Sequence, residues 1–424
     1  MVPMRFSRPT RHPHAHALIA TAVAGALSAS ALVAGAGSAL AAPAEKTVDQ
    51  LVTKRIDNPR LGSTVGLLAI DAATGEVLSD HDSSRRMLPA SNMKIVTAVT
   101  SLATLGADHR FTTRVRSGAT PGELILEGGG DPLLSTRELR QLANAAAKTL
   151  PAGTPVTVHV DQDLFAGGEK ERGWTNGYIP SVVSSVHALA RIWDYSRDPS
   201  GNAATVFADR LRAKGFEVTI GVPADAGDNP VVAETEGHTL AEAVRIMLRI
   251  SENNVAEVLY RQVAVATGNP ADWKGSRKAA EQVLQGLGID TAGTAIRDGS
   301  GLSRKDRVTP KFLVDVLRTA RVTNPEPFRV MFEQDAMPVA GVSGTLDDKY
   351  GRFTTKRARC AAGDVLAKTG TLFDTISLSG LTVAQEAPER IFSILVNDRP
   401  QRYSALTIRQ AVDGLTATIS GCWR

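Results

Sequence analysis

The sequence predicts an α+β fold, in which an antiparallel sheet is flanked by helices and a second domain is inserted into the first. Three observations carry this. Strand-like segments stand at both ends of the chain with helical segments between them, and a stretch of different texture interrupts that order at 107–237. The 424 residues, 43% of them hydrophobic, are also enough to bury more than one core.

The first 41 residues read as an export signal: Arg5, Arg8 and Arg11, an Ala/Val/Leu run from Ala17 to Ala36, then Ala39-Leu40-Ala41 as a cleavage site. Retained uncleaved, the same run would tether the chain loosely to a membrane or the cell wall, because it approaches the length of a span. The formal charge of +4 includes those three arginines and no acid, so the mature chain carries about +1. That argues against nucleic acid as a partner.

The first part of the main domain covers 42–106. Leu61 to Ile70 reads as a strand, Asp71 to Gly75 as a turn and Glu76 to Ser79 as a second strand. Pro89-Ala90-Ser91 then opens a helix with apolar residues at Met93, Val96, Val99 and Leu102, ended by Gly106. The inserted domain, 107–237, holds short strands (Phe111–Val115, Glu123–Leu126, Val156–Val160), helices near Thr136–Thr149 and Ala203–Lys214, and an exposed loop at Arg197–Asn202.

The main domain resumes over 238–424 with helices at Leu240–Ile250, Asn254–Thr267, Ser276–Leu287 and Pro310–Arg321. Strands at Val365–Lys368, Thr375–Ala384 and Arg390–Val396 and a helix at Ala405–Ile419 close it. In an oxidising compartment Cys360 and Cys422 either pair, tying down the C-terminus, or remain two thiols. No metal is expected: neither cysteine has a Cys or His within a few residues, and the histidines, expected at surface or turn, lack metal-pair spacing.

Three short motifs carry chemistry. Ser91-Asn92-Met93-Lys94 places an amine three residues after a hydroxyl, on the same helical face. Serine is a weak nucleophile until a base takes its proton, so Lys94 must be uncharged near neutral pH, through burial or the nearby charge of Lys368. Ser251-Glu252-Asn253 breaks a helical pattern, so Ser251 can relay a proton and Asn253 can bond Lys94. Ser200-Gly201-Asn202 fits the same short pattern, which by itself is no more than a helix–helix turn. Lys368-Thr369-Gly370-Thr371 ends a strand, where Lys368 and the hydroxyls can hold a carboxylate and the strand edge can pair with a peptide.

In this order the motifs match the serine-lysine, serine-x-asparagine and lysine-threonine-glycine set of penicillin-binding proteins and class A β-lactamases. With Leu124–Pro132, Ser251–Glu257, Asp298–Arg304, Val308-Thr309-Pro310 and Gly344-Thr345-Leu346, the chain resembles the class C low-molecular-mass penicillin-binding proteins, the S13 D-alanyl-D-alanine carboxypeptidase/endopeptidases. The resemblance implies a transpeptidase-like catalytic domain and hydrolysis of peptidoglycan stem peptides through an acyl-enzyme. It gives Ser91, Lys94, Ser251 and Asn253 the catalytic roles and Lys368, Thr369, Gly370 and Thr371 the binding of substrate. It also implies an oxyanion hole from the Ser91 and Thr371 N–H groups, acylation of Ser91 by β-lactams, and no cofactor.

Two departures stand out. The gap from Lys94 to Ser251 is 157 residues, short for the family, so the innermost part of the insert is expected to be missing or reduced. Glu252 replaces the usual Asp and is expected to be exposed and without consequence. The competing readings are a β-lactamase or esterase on the same fold, for which no Glu-x-x-Leu-Asn-like element is present, and an inactive cell-wall binding protein.

Overall fold

A computed structural model describes residues 47–166, 168, 170–384 and 387–423; the export signal read at 1–41 lies outside them. The first described helix, α1 (Val48–Ile56), starts at Thr47, whose hydroxyl accepts from the Gln50 N–H while the Gln50 side chain accepts from the Thr47 N–H. This capping box satisfies two donors that the helix itself cannot. A hairpin follows, β1 (Thr64–Asp71) and β2 (Val77–His81), with the Asp71 carboxylate accepting from the Thr74 N–H at 2.9 Å inside the turn. The helix after it, α2 (Met93–Leu105), is buried on every side from Met93 to Leu102.

Two strand residues, β3 (Arg110–Phe111), lead into β4 (Arg114–Ser117), β5 (Glu123–Glu127), α3 (Thr136–Ala146), β6 (Val156–Asp161) and the short turn α4 (Tyr178–Ser181). The stretch continues through α5 (Pro199–Arg212), β7 (Val218–Ile220), β8 (Val231–Glu234) and β9 (His238–Thr239). Four longer helices come next, α6 (Leu240–Arg249), α7 (Asn253–Ala266), α8 (Trp273–Gly286) and α9 (Pro310–Arg318). The chain closes with β10 (Val365–Leu372), β11 (Thr375–Thr382), β12 (Arg390–Asn397) and α10 (Ala405–Ile419).

The first sheet has the order β10-β11-β12-β1-β2, antiparallel throughout, so the last strand lies beside the first with Val65 opposite Val396. Successive side chains of a strand point to opposite faces, and both faces here are covered. Leu68, Ile70, Ile391 and Leu395 pack toward α2, α6 and α9, whereas Leu67, Ala69, Phe392 and Ile394 pack toward α1 and α10. Truncating a fully buried member such as Leu395 to Ala costs about 2–5 kcal/mol.

A second sheet, β7-β6-β5-β4-β8, is mixed: β5, β6 and β7 run parallel, while β4 pairs antiparallel with β5 and β8. It has its own apolar core, in which Leu124, Leu126 and Val158 meet Leu139 and Leu142 of α3 and Phe207 and Leu211 of α5. The entry and exit of this stretch pair with each other, Arg110 opposite Thr239.

The structure corrects three readings. Arg197–Asn202 is not an exposed loop: Asp198 caps α5 through the Gly201 N–H at 2.8 Å, Pro199 takes its first position, and Pro199 and Ser200 are buried. The strand expected to end at Lys368 continues through Gly370 to Leu372. His187, expected at a surface or turn, is buried against Gln162. Cys360 and Cys422 are joined in a disulfide with their Cα atoms 5.8 Å apart, which fixes the end of α10.

Candidate active site

Ser91 lies in a tight turn, Ala90–Asn92, that runs directly into α2, and Ala90 takes a φ of +48°. Two glycines make room for this turn. A Cβ on Gly301, itself at φ +81°, would lie 1.8 Å from the Ala90 carbonyl, and one on Gly370 would lie 3.0 Å from the Ala90 Cβ. Asn92 fastens the turn to the sheet: its amide donates to the Lys368 carbonyl at 2.8 Å, and its oxygen accepts from the Ser379 hydroxyl at 2.6 Å. Ser91 therefore sits half-buried at the first turn of a rigid helix, where N–H groups have no helical acceptor.

Lys94 is fully buried, and its amine lies 3.0 Å from Ser91 Oγ, 2.7 Å from Asn253 Oδ1 and 2.9 Å from the Ser300 carbonyl. Two of these oxygens can only accept. An uncharged amine has two hydrogens and one lone pair, so its hydrogens go to Asn253 and Ser300 and its lone pair faces the Ser91 hydroxyl. Burial lowers the Lys94 pKa to about 8, against the opposing pull of Glu257, Glu252 and Asp298. An uncharged Lys94 is thus accessible near neutral pH, in the geometry a base requires.

The Ser300 carbonyl is held by a buried carboxylate pair. Glu257 accepts from the Gly299 and Ser300 N–H groups at 3.1 and 2.9 Å. Asp298 accepts from the Gly301 and Ser303 N–H groups and from the Trp174 indole, each at 2.7 Å. Burial, with Asp298 adjacent, pushes the Glu257 pKa up to about 8.

Between α6 and α7, Ser251 takes a φ of +63°, a left-handed conformation that turns the chain and leaves its side chain on the cleft. Asn253 begins α7, and its amide also donates to the Val182 carbonyl at 2.8 Å. Glu252 is buried rather than exposed, which corrects the expectation. It caps α7 by accepting from the Val255 N–H at 2.7 Å and accepts from the Tyr195 hydroxyl at 2.8 Å.

Across the cleft, Lys368, Thr369, Gly370 and Thr371 lie on β10, the edge strand. Lys368 is fully buried and donates to the Thr369 carbonyl at 2.9 Å; burial and then Lys94 hold its pKa well below the lysine range. The Thr369 hydroxyl pairs with that of Thr345 at 2.7 Å, and the Thr371 hydroxyl accepts from Arg409 at 3.0 Å. Ser91, Ser251, Thr369, Gly370 and Thr371 line one cleft of about 520 Å³.

All eight residues singled out from the sequence thus come to one place. Sequence reasoning missed the Ser300 carbonyl, Glu257, Asp298 and Arg409. Glu257 and Asp298 stand in motifs already singled out, and Glu257 is one turn after Asn253 on α7. Among the described residues, no group of three His, Cys, Asp or Glu side chains could hold a metal, and no helix is long and apolar enough to cross a membrane.

The family profile of D-Ala-D-Ala carboxypeptidase 3 (S13) matches residues 48–187 and 176–419. The chain belongs to this S13 family. Carboxypeptidase DacB of Mycolicibacterium smegmatis is 31% identical over 402 residues, covering 90% of this chain and 85% of that one. A D-alanyl-D-alanine carboxypeptidase of Actinomadura sp. is 28% identical over 494 residues, covering 93% and 88%. Among solved structures, penicillin binding protein 4 (dacB) from Haemophilus influenzae superposes with a TM-score of 0.74 at 21% identity, over 89% of this chain and all of that one. The S13 chain thus shares the fold of a penicillin-binding protein.

Proposed function

We propose that this S13 chain is a serine D-alanyl-D-alanine carboxypeptidase/endopeptidase that cleaves peptidoglycan stem peptides through an acyl-enzyme on Ser91. The observation that carries it is the Lys94 amine, 3.0 Å from Ser91 Oγ with both its other oxygen partners restricted to accepting. Lys94 takes the Ser91 proton as Oγ attacks the carbonyl carbon before the terminal D-alanine. The developing oxyanion is received by the Ser91 and Thr371 N–H groups. Collapse breaks the C–N bond, and the Ser251 hydroxyl passes a proton to the departing amine while Lys94 replaces it. Water then repeats the sequence on the ester and frees Ser91. A β-lactam acylates Ser91 by the same first step, its ring amide standing in for the peptide bond.

Labelled penicillin is expected to attach covalently to the wild type and not to Ser91→Ala, with D-alanine released from a pentapeptide by the wild type alone. Rapid penicillin turnover without D-alanine release would replace this reading with a β-lactamase.

We further infer that 42–106 and 238–424 form the catalytic domain and 107–237 an inserted one, as its separate core and paired entry and exit support. The innermost part of the insert is reduced. In support, the family profile matches in two pieces that meet at 176–187, and the alignment to the Actinomadura relative, 494 positions, exceeds the 424 residues here. The peptidoglycan substrate lies outside the cytoplasmic membrane, in keeping with export by residues 1–41. N-terminal sequencing of the mature protein should begin at Ala42 or one residue later.

A further inference from the structure

Resting on the acyl-enzyme reading above, the cleft must also receive the terminal carboxylate of the leaving D-amino acid. Lys368 is poorly placed for this. It is fully buried, its amine donates to the Thr369 carbonyl, and burial beside Lys94 disfavours its charge. The charge has to come from elsewhere on the strand wall.

Arg409, on α10, lines the same cleft as Ser91 and donates from Nη2 to Thr371 Oγ1 at 3.0 Å. It is half-buried among cations. Arg352 and Arg399 are its charged neighbours, and burial and then these two lower its pKa. The acid that bears on its charge, Asp413, is already saturated: Arg352 donates to both its oxygens at 2.5–3.2 Å, and the Phe353 N–H adds a bond at 3.0 Å. Among the described residues Arg409 has no carboxylate partner. The other cations of the cleft are engaged differently: Lys349 pairs with Asp347 at 3.2 Å, and Arg249 donates to the Gln334 carbonyl at 3.3 Å.

A guanidinium carries five N–H donors in a fixed fork suited to a carboxylate, and Thr371 uses one of them. A half-buried guanidinium set among other cations favours an anion beside it, and its free donors face the cleft that Ser91 lines. We propose that Arg409, with the Thr371 hydroxyl it orients, binds the terminal carboxylate of the substrate and the ring carboxylate of penicillin, and so gives the enzyme its preference for a free chain end. The C-terminal helix thereby reaches into a site otherwise built from α2, α7 and β10.

The test compares full-length wild type, Arg409→Gln and Arg409→Lys on an acyl-D-Ala-D-Ala peptide and its C-terminal amide, reading the acid-over-amide ratio of kcat/KM. Loss of a charged hydrogen bond is expected to lower that ratio about 10–100-fold in the Gln variant, with partial recovery in Lys. The same ratio is read as Kd for both peptides on Ser91→Ala with and without Arg409→Gln. An unchanged ratio in both measurements, with acid and amide falling together, would make Arg409 a support for Thr371 only and overturn the proposal. If the wild type is not acylated at all, the acyl-enzyme reading falls, and the binding ratio alone still decides the role of Arg409.

Discussion

The two walls of the cleft surround equally buried lysines with opposite company. On the helical wall, Lys94 has three oxygen partners and feels the charges of Glu257, Glu252 and Asp298. On the strand wall, among the described residues, Lys368 has one carbonyl partner, and the charge that bears on it is that of Lys94. Both amines lose hydration to the same degree, yet one is poised at about 8 and the other is pushed well below the lysine range. Burial supplies the downward push in each case, and the carboxylates decide how far it goes. The helical wall can therefore exchange a proton, while the strand wall is suited to holding one form of a ligand.

The sharpest way to break this contrast is Lys94→Met, which keeps the volume and removes the amine. Loss of the base is expected to lower penicillin acylation about 10²–10⁴-fold. The equivalent Lys368→Met should lower it less, since that residue is not hydrogen-bonded to Ser91; equal losses measured by stopped-flow would erase the distinction between the walls.

The strand wall is also tied covalently, because the Cys360–Cys422 bridge anchors α10, whereas the helical wall relies on hydrogen bonds. Replacing both cysteines with Ser is expected to cost on the order of 4 kcal/mol, since the closed loop spans 62 residues. The denaturant midpoint reports this, and an unchanged midpoint would show that packing alone holds α10.

Acylation needs Lys94 without its extra proton, so its rate should fall about tenfold per unit as pH drops below about 8 and level off above. The groups facing this amine are Glu252, Glu257, Asp298 and Lys368. Glu257 is itself pushed up to about 8, so it carries its charge only in the upper part of this window, and Glu257→Gln should move the limb only slightly to lower pH; a profile flat between pH 6 and 9 would rule out Lys94 as the titrating base. The smallest effect concerns Glu252, where Tyr195→Phe deletes one bond to a buried carboxylate and should cost about 1 kcal/mol in thermal stability with little change in acylation.

The side chains proposed to be catalytic were legible because each needs a particular residue type at a fixed spacing: Lys94 one turn after Ser91, Asn253 two after Ser251, and a glycine where β10 meets Ala90. Their supports were less so. A backbone carbonyl such as that of Ser300 leaves no signature in the residue it belongs to. Arg409 lies 38 positions beyond Thr371, and only the pairing of the last strands brings α10 to the cleft. Glu252 was misjudged because a carboxylate in a turn looks solvated until Tyr195, 57 positions earlier, is seen to cover it. Arg197–Asn202 was misjudged for a local reason: Asp198-Pro199 has the composition of a loop and equally that of a helix start.

The adjoining of Arg110 and Thr239 sets a rule for how relatives of this chain can vary. Polypeptide that leaves and returns through neighbouring residues can grow or shrink without moving the scaffold at its root. Stitches at Trp174 to Asp298, Val182 to Asn253 and Ser184 to Asn254 forbid such drift near Ser91 and Lys94. Length changes are therefore tolerated away from these stitches, and a deletion running through 174–184 would disarm the enzyme although the Ser91 hydroxyl is bonded to Lys94 and to none of those residues.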